Sequence, residues 1–200
     1  MKTISFFLFI LISSSRLFAQ TYVDSLATSR KEHLAELKDT ANHILNSEEV
    51  NSFKGLDYFP VDTAYKITAK FKKKLGPEFE MPTSGTRTPV YRRYGYLYFE
   101  VNHKKCRLTV YQNIQLSKSE DLKDYLFVPF RDLTSSHATY GGGRYLDFEI
   151  PETKEILIDF NLAYNPYCAY SHRYSCPIPP AENTLSVEIL AGEKYIETVH

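Results

Sequence analysis

Two cysteines and a histidine are the most reactive side chains of an irregular segment near the C-terminus, where Cys168, His172 and Cys176 follow one another with three residues between neighbours. Thiolate and imidazole are ligands that zinc prefers, but this spacing is not one of the usual short zinc pairs and the sequence offers no clear fourth ligand. A disulfide between Cys168 and Cys176 would close a loop of nine residues, which stabilises a chain in an oxidising compartment by about 2.5 kcal/mol. We favour this disulfide, with free thiols or a metal site as alternatives, and we predict no metal and no cofactor.

A run of three glycines before an arginine, TYGGGR over residues 139–144, is the second candidate for chemistry. Glycines let the backbone approach a ligand closely, and their N–H groups can form an anion-binding nest. Arg144 shares a strand face with Leu146, so it points towards the core and requires a partner, either Asp132, Asp159 or an anionic ligand. No predicted helix follows the glycines and no G-K-S or G-K-T is present, which argues against a phosphate loop. We favour a structural ion pair over a ligand contact.

Together with Arg144, further polar residues are predicted to line a pocket at one open end of the fold. Arg92 and Arg93 are neighbours in a strand and point to opposite faces, so one of them at most lines a shared site. Arg92 does so if it follows Val90 inward, and otherwise it is a surface charge paired across strands. The ligand-binding residues of this hypothesis are Arg92, Asp132, Tyr140, Arg144, Asp159 and Asn161. The expected function is a binding module for a small polar or anionic ligand.

Two other functions are compatible with the same residues. A hydrolase would use the carboxylate of Asp159 or Asp132 as acid or base, and that carboxylate would have a raised pKa inside a deep pocket. A structural envelope protein would have no concave site.

Residues 159–180 also carry four tyrosines among several prolines. These tyrosines form either an aromatic platform for a sugar or peptide or, as we favour, apolar contacts that pack a long connection onto the sheet. They are Tyr164, Tyr167, Tyr170 and Tyr174.

The first 20 residues have the order of a secretory signal peptide, with an early lysine, an apolar run over residues 4–12 and a small residue at Ala19. Cleavage near Ala19 or Gln20 would release residues 21–200 to the periplasm or the exterior. The apolar run is shorter than the roughly 20 residues of a membrane-spanning helix, so we expect no membrane span after cleavage. Loss of Lys2 and Arg16 changes the balance of 24 basic and 24 acidic residues to a net charge of −2, which gives no support for nucleic-acid binding.

Hydrophobic periodicity divides the predicted single globular domain, residues 21–200, into an N-terminal helical segment, residues 21–55, and a β domain, residues 56–200. A period of 3.6 predicts an amphipathic helix over residues 23–45, and Ser47 is able to cap a short second helix. Period-two patterns, and over residues 126–130 a run that is apolar on both faces, predict strands over residues 65–72, 90–94, 97–101, 106–111, 126–130, 144–150, 155–161 and 185–190. The strands over residues 97–101 and 106–111 are predicted to form a hairpin. The predicted fold is mainly β, an antiparallel sandwich or barrel of seven to eight short strands with the N-terminal amphipathic helix.

Six strings spread along the chain are similar to a known family. They are FKGLDYFPVD (53–62), YRRYG (91–95), FVPFRDLTS (127–135), TYGGGRYLDFE (139–149), DFNLAYNPYCAY (159–170) and YSCPIPPAENTLSVEILAGEK (174–194). In this order they resemble the bacterial and archaeal family catalogued as domain of unknown function 1684. The resemblance implies a single domain over residues 53–194 and names no catalytic residue, because the family has no established activity. Residues 46–51 depart from the start typical of that family.

Overall fold

The computed structural model describes residues 4–195, with side chains from Gln20 onward. Residues 1–3 of the predicted signal peptide and the last five residues of the predicted β domain lie outside this description. The chain divides after Asn46 into two compact units. The first contains helix α1 (Ile4–Lys38) and a 3₁₀ turn (Thr40–Asn42), and the second begins at Ser47.

Helix α1 begins and ends earlier than the apolar period over residues 23–45 predicts. Asp39 follows its last residue and caps the next turn instead, because its Oδ1 accepts a hydrogen bond of 2.9 Å from the N–H of Ala41. The predicted second helix is confirmed as α2 (Ser47–Ser52). Among residues 4–195 no helix is long and apolar enough to cross a membrane.

The second unit is organised around one antiparallel sheet of seven strands that curls into a half-barrel. The strands are β1 (Lys66–Lys73), β2 (Glu78–Glu80), β3 (Val90–Val101), β4 (Lys104–Asn113), β5 (Tyr125–Phe130), β6 (Arg144–Glu149) and β7 (Glu155–Asp159). Their order is β6-β5-β4-β3-β1-β7, with β2 paired to the beginning of β3. The predicted mainly β, antiparallel class is confirmed, as one curled sheet instead of two stacked sheets.

The predicted hairpin is confirmed as β3 and β4, but its first strand is longer than the sequence indicates. Asn102 and His103 form the two-residue turn with φ values of 51° and 59°, the left-handed backbone that this kind of hairpin requires. The two predicted strands before the turn are continuous, with a register shift between Arg93 and Gly95. A Cβ at Gly95 would lie 2.7 Å from the carbonyl oxygen of Lys72, so glycine lets β1 pair closely there.

The predicted strand over residues 185–190 is wrong, although its alternation has a physical cause. Leu185, Val187 and Ile189 are buried in the core, as the pattern indicates. The backbone instead runs irregularly beside the end of β5, where the N–H of Leu185 donates to the carbonyl of Arg131 at 2.8 Å. Strand β2 was in turn missed, because three residues inside a proline-flanked loop carry no readable period.

The two faces of the sheet support two apolar clusters. The core face carries the larger one, which includes Leu97, Leu108, Val128, Leu146 and Ile158. Residues of β3 to β6 that point the opposite way, together with Met81 and Cys176 from loops, form the cluster that we call the tyrosine face: Met81, Tyr91, Tyr111, Phe127, Tyr145 and Cys176. A second layer made of loop residues therefore covers part of the sheet's other side.

A buried asparagine replaces a missing rung of the sheet between β4 and β5. Pro129 has no N–H to donate to its neighbour, which interrupts the ladder at this point. The Asn183 carboxamide inserts here: its Oδ1 accepts from the N–H of Thr109 at 2.7 Å, and its Nδ2 donates to the carbonyls of Thr109 at 2.9 Å and Pro129 at 2.8 Å. One side chain thus satisfies three buried backbone groups.

We predict that Asn183→Ala lowers the free energy of unfolding by about 3 kcal/mol, because it leaves those backbone groups buried without partners. Urea denaturation measures the change. Asn51→Ala on the exposed surface of α2 is the control and should change stability by less than about 0.5 kcal/mol. Equal stability of the two variants would show that the carboxamide is not needed to join the strands.

Candidate functional site

Arg144 and Asp132 form a buried ion pair. The Nη2 of Arg144 lies 2.8 Å from the Oδ2 of Asp132, and each side chain is 1% exposed. The other carboxylate oxygen, Oδ1, accepts from the N–H of Thr134 at 2.7 Å and from its hydroxyl at 2.5 Å. Asp132 thus has no oxygen left for catalysis or for a ligand.

The rest of the Arg144 guanidinium binds backbone. Its Nη1 donates to the carbonyls of Ala191 at 2.5 Å and Glu193 at 3.2 Å, and its Nη2 donates to the carbonyl of Ile189 at 3.0 Å. Burial lowers the pKa of Arg144, and the Asp132 carboxylate opposes that effect. Arg144 therefore fastens residues 189–193 to the sheet, the structural role that the sequence favoured.

Three other residues of the predicted pocket are also engaged in local structure. The guanidinium of Arg92 donates to the Oε1 of Gln112 on the neighbouring strand, at 3.0 Å from Nε and 2.6 Å from Nη2. Asp159 accepts from both the N–H and the side-chain amide of Asn161, each at 3.0 Å. That amide also bridges to the backbone of Asp62, at 2.8 Å to its carbonyl. These contacts hold turns and strands together, and none of them joins the Arg144 pair.

The glycine run is explained by packing. Gly143 has a φ of 91°, and a Cβ there would lie 2.6 Å from the carbonyl of Phe130 and 2.7 Å from Pro179. A Cβ at Gly142 would meet the ring of Tyr140 at 2.3 Å. The residues of the predicted pocket thus lie in separate groups, with Tyr140 beside Cys168, and a ligand for any of them stays a prediction.

An open cleft of about 410 Å³ lies between the tyrosine face and the loop after residue 163, and we call it the tyrosine cleft. Its size is within the range of small-molecule sites. Six tyrosines dominate its wall. The lining residues are Arg87, Tyr91, Leu116, Tyr125, Phe127, Tyr145, Tyr164, Pro166, Tyr167, Tyr174, Ser175, Cys176 and Pro177.

The loop wall of the tyrosine cleft is held by backbone pairing. The N–H of Ser84 donates to the carbonyl of Cys176 at 2.9 Å, and the N–H of Ile178 donates to Pro82 at 2.8 Å. The Nη2 of Arg87 reaches the carbonyl of Ser175 at 2.9 Å. These bonds fasten the segment to the loop after β2, which agrees with the packing interpretation. Three of its four tyrosines also line the cleft, and an aromatic platform for a ligand stays a prediction.

A carboxylate lies behind two of the tyrosines. The hydroxyl of Tyr125 donates to Oδ1 of Asp147 at 2.6 Å, and that of Tyr164 donates to Oδ2 at 2.7 Å. Asp147 is exposed to solvent on one side, while the groups packed around it partly desolvate its carboxylate and raise its pKa, a rise that the two phenol hydrogen bonds oppose. Asp147 was not among the predicted site residues. The signal that points to Asp147 is its position opposite Phe127 on the tyrosine face.

Cys168 and Cys176 lie side by side as free thiols; Cys176 lines the tyrosine cleft, and Cys168 packs beside it. The N–H of Cys168 donates to the Sγ of Cys176 at 3.2 Å, and the hydroxyl of Tyr140 lies 3.7 Å from the Sγ of Cys168. Hydrogen bonds from Cys176, Tyr140 and Ser84 hold the pKa of Cys168 at about 6, against an ordinary value of 9.0. The pKa of Cys176 is raised by the adjacent Cys168 and by burial. The two cysteines are neighbours, as the predicted disulfide requires, and the covalent bond between them stays a prediction.

Within residues 4–195 no group of three or more histidine, cysteine, aspartate or glutamate side chains is arranged to hold a metal ion. Cys168, His172 and Cys176 therefore do not form such a group in the described part of the chain.

A protein family and a solved structure are similar to this chain. A family described as "Protein of unknown function (DUF1684)" matches residues 51–194. The chain belongs to the DUF1684 family. This confirms the resemblance that the six strings indicated, and the family description gives no activity.

A solved structure of a similar protein supports the fold. The solution NMR structure of the uncharacterized protein from gene locus rrnAC0354 of Haloarcula marismortui is 33% identical and has a TM-score of 0.66. The match covers 88% of this chain and 95% of that chain. The search of curated proteins found no match.

For this DUF1684 protein we predict that Arg144→Met lowers the free energy of unfolding by about 3–5 kcal/mol, because it leaves the Asp132 charge buried without its partner. Urea denaturation tests this. Arg107→Met is a control of equal charge change; Arg107 is exposed and lies over the ring of Tyr96, so its loss costs less than about 1 kcal/mol. Adding Asp132→Asn to Arg144→Met, which removes the buried charge and keeps an amide oxygen for Thr134, should recover part of the stability; a further loss would contradict the ion-pair account.

Proposed function

We propose that this DUF1684 protein is an exported binding protein whose tyrosine cleft takes a small anion that carries a ring. The observation that carries the proposal is the cleft itself, a cavity of about 410 Å³ with six tyrosines and one arginine among its described lining residues. Such a cavity favours a binding module over a structural envelope protein without a concave site. The two carboxylates named for the hydrolase alternative, Asp132 and Asp159, are not among the lining residues.

The aromatic surface of the cleft favours a flat or cyclic ligand. Phe127 and Tyr145 pack edge to face with ring centroids 4.7 Å apart, which fixes the floor. Tyr167 and Tyr174 are partly exposed on the loop, with their centroids 5.2 Å apart. The face of a ring is able to stack on these residues without any change in the sheet.

The polar groups of the cleft favour an anion with hydroxyl donors. Tyr125 and Tyr164 donate to Asp147, and Tyr145 donates to the carbonyl of Pro177, so these three phenol oxygens present lone pairs to a ligand. Arg87 is the charged side chain among the described lining residues, and its guanidinium is exposed and held by Ser175. A carboxylate or phosphate group would meet Arg87, while ligand hydroxyls would donate to the tyrosines.

We expect benzoate to bind more tightly than benzyl alcohol, a neutral molecule of the same shape, because the benzoate carboxylate meets Arg87. NMR titration measures both affinities and maps the shifted resonances. Arg87→Gln should weaken benzoate binding roughly three- to tenfold, since an exposed guanidinium is partly screened, and leave benzyl alcohol unchanged.

Arg107→Gln, an exposed arginine on β4 outside the lining of the cleft, is the matched control and should leave both affinities unchanged. Shifts spread over the surface, or an equal effect of the two substitutions, would contradict binding in the tyrosine cleft.

Export is supported by the order of charge, apolar run and small residues in the first 20 positions. Expression of the full chain in a bacterium, followed by intact mass measurement of the mature protein, should give an N-terminus near residue 20 or 21. The protein should be recovered in the periplasm or medium. An uncleaved cytoplasmic product in a host that exports a control signal peptide would refute this part of the proposal.

A further inference from the structure

We propose that Cys168 and Cys176 are a redox-active dithiol that exchanges with a low-molecular-weight disulfide, with Cys168 as the attacking thiol and Cys176 as the resolving thiol. This goes beyond ligand binding in the tyrosine cleft, and it stands or fails independently of the ligand.

The fold holds the two cysteines next to each other while both are free thiols. Cys168 lies in the 3₁₀ turn Tyr167–Ala169, and its N–H donates to the Sγ of Cys176 at 3.2 Å. The backbone of Cys176 is fixed on both sides by Ser84, whose N–H donates to the Cys176 carbonyl at 2.9 Å and whose hydroxyl accepts from the Cys176 N–H at 3.0 Å. Since neither backbone has to move far, the disulfide and dithiol states are accessible to the same loop.

Access to solvent differs between the two thiols. Cys168 is half-buried and packs against the tyrosine face from the loop, whereas Cys176 is 9% exposed and belongs to that face. A disulfide molecule that approaches from solvent therefore meets the more exposed Cys168 first. This asymmetry assigns the attacking and the resolving roles.

The groups that face Cys168 stabilise its thiolate. The thiol of Cys176 and the hydroxyls of Tyr140 and Ser84 donate to it, with Tyr140 at 3.7 Å, and together they lower its pKa to about 6 against the burial that raises it. Tyr145 is the neighbouring ionisable group on the sheet, and its phenol stays protonated because burial raises its pKa. Arg87 acts on Cys176, whose pKa it lowers slightly.

The reaction is a balanced thiol–disulfide exchange. The Cys168 thiolate attacks one sulfur of a small disulfide RSSR, forming a mixed disulfide and releasing RS⁻. Cys176 loses its proton and attacks the Sγ of Cys168, which forms the Cys168–Cys176 disulfide and releases the second RS⁻. The small disulfide is reduced by two electrons and the protein dithiol is oxidised by two.

Cys106 provides an internal comparison. It packs against the core face on the other side of the sheet, and burial raises its pKa. At pH 6 a thiol with a pKa of about 6 should react about tenfold faster than an ordinary thiol, because its larger ionised fraction outweighs its lower intrinsic nucleophilicity.

The test uses the reduced full chain and oxidised glutathione at pH 6, with acid quenching and mass spectrometry. The unsubstituted protein should form the Cys168–Cys176 disulfide and retain one free thiol. Cys176→Ser, which keeps a hydroxyl donor beside Cys168, should accumulate a stable glutathione adduct at Cys168. Cys168→Ser should react at least about tenfold more slowly, and Cys106→Ser should behave like the unsubstituted protein.

A persistent three-thiol protein, an adduct at Cys106, or equal rates for Cys176→Ser and Cys168→Ser would overturn the proposal. Because a substituted chain can fail to fold, brief alkylation of the unsubstituted protein with iodoacetamide at pH 6, followed by peptide mapping, provides the second measurement. Cys168 should be alkylated before Cys106. Alkylation of both at one rate would overturn the assignment without any variant.

Discussion

The guanidinium of Arg144 is the contact on which much of the second unit depends. A charge that is 1% exposed is tolerated because Asp132 balances it and three backbone carbonyls accept its remaining hydrogen bonds. Those carbonyls belong to residues 189–193, which lie in no strand and also pair with the backbone of Tyr58, Phe59 and Ala163. One side chain on β6 thereby joins this segment to the sheet, and Asn183 joins β4 to β5.

The tyrosine cleft follows from this arrangement of loops. Glu193, whose carbonyl Arg144 binds, turns its own carboxylate to the N–H of Asn165 at 2.9 Å and to the hydroxyl of Tyr170. The loop wall is therefore anchored at its base by a buried acid and along its edge by pairing with residues 82–84. A cavity between a rigid sheet and a loop fixed at both ends keeps its shape without a ligand, which reduces the entropy lost on binding.

Hydrophobic periodicity predicted where the strands lie better than it predicted which groups they contact. Six strands and the β3–β4 hairpin were readable because side chains alternate between a buried face and a second environment. Residues 185–190 alternate for the same reason, but their backbone bonds to the loop after β5 and to Arg144 instead of to a strand, which no local pattern encodes. Asp132 was among the partners expected for Arg144, since a buried arginine requires an acid. The cleft that we propose as the binding site was not foreseen, because Tyr91, Tyr125, Tyr145 and Asp147 occupy the face that alternation assigns to solvent, and a loop distant in sequence covers it.

The central claim is that Arg144 is a structural residue and that Arg87 marks the binding site. An NMR spectrum of the arginine guanidinium groups, recorded with and without benzoate, tests both halves at once. The account predicts slowly exchanging Arg144 resonances that benzoate does not move, and a rapidly exchanging Arg87 resonance that shifts on addition. A shift at Arg144 with Arg87 unchanged would contradict it and return the site to the core face of the sheet.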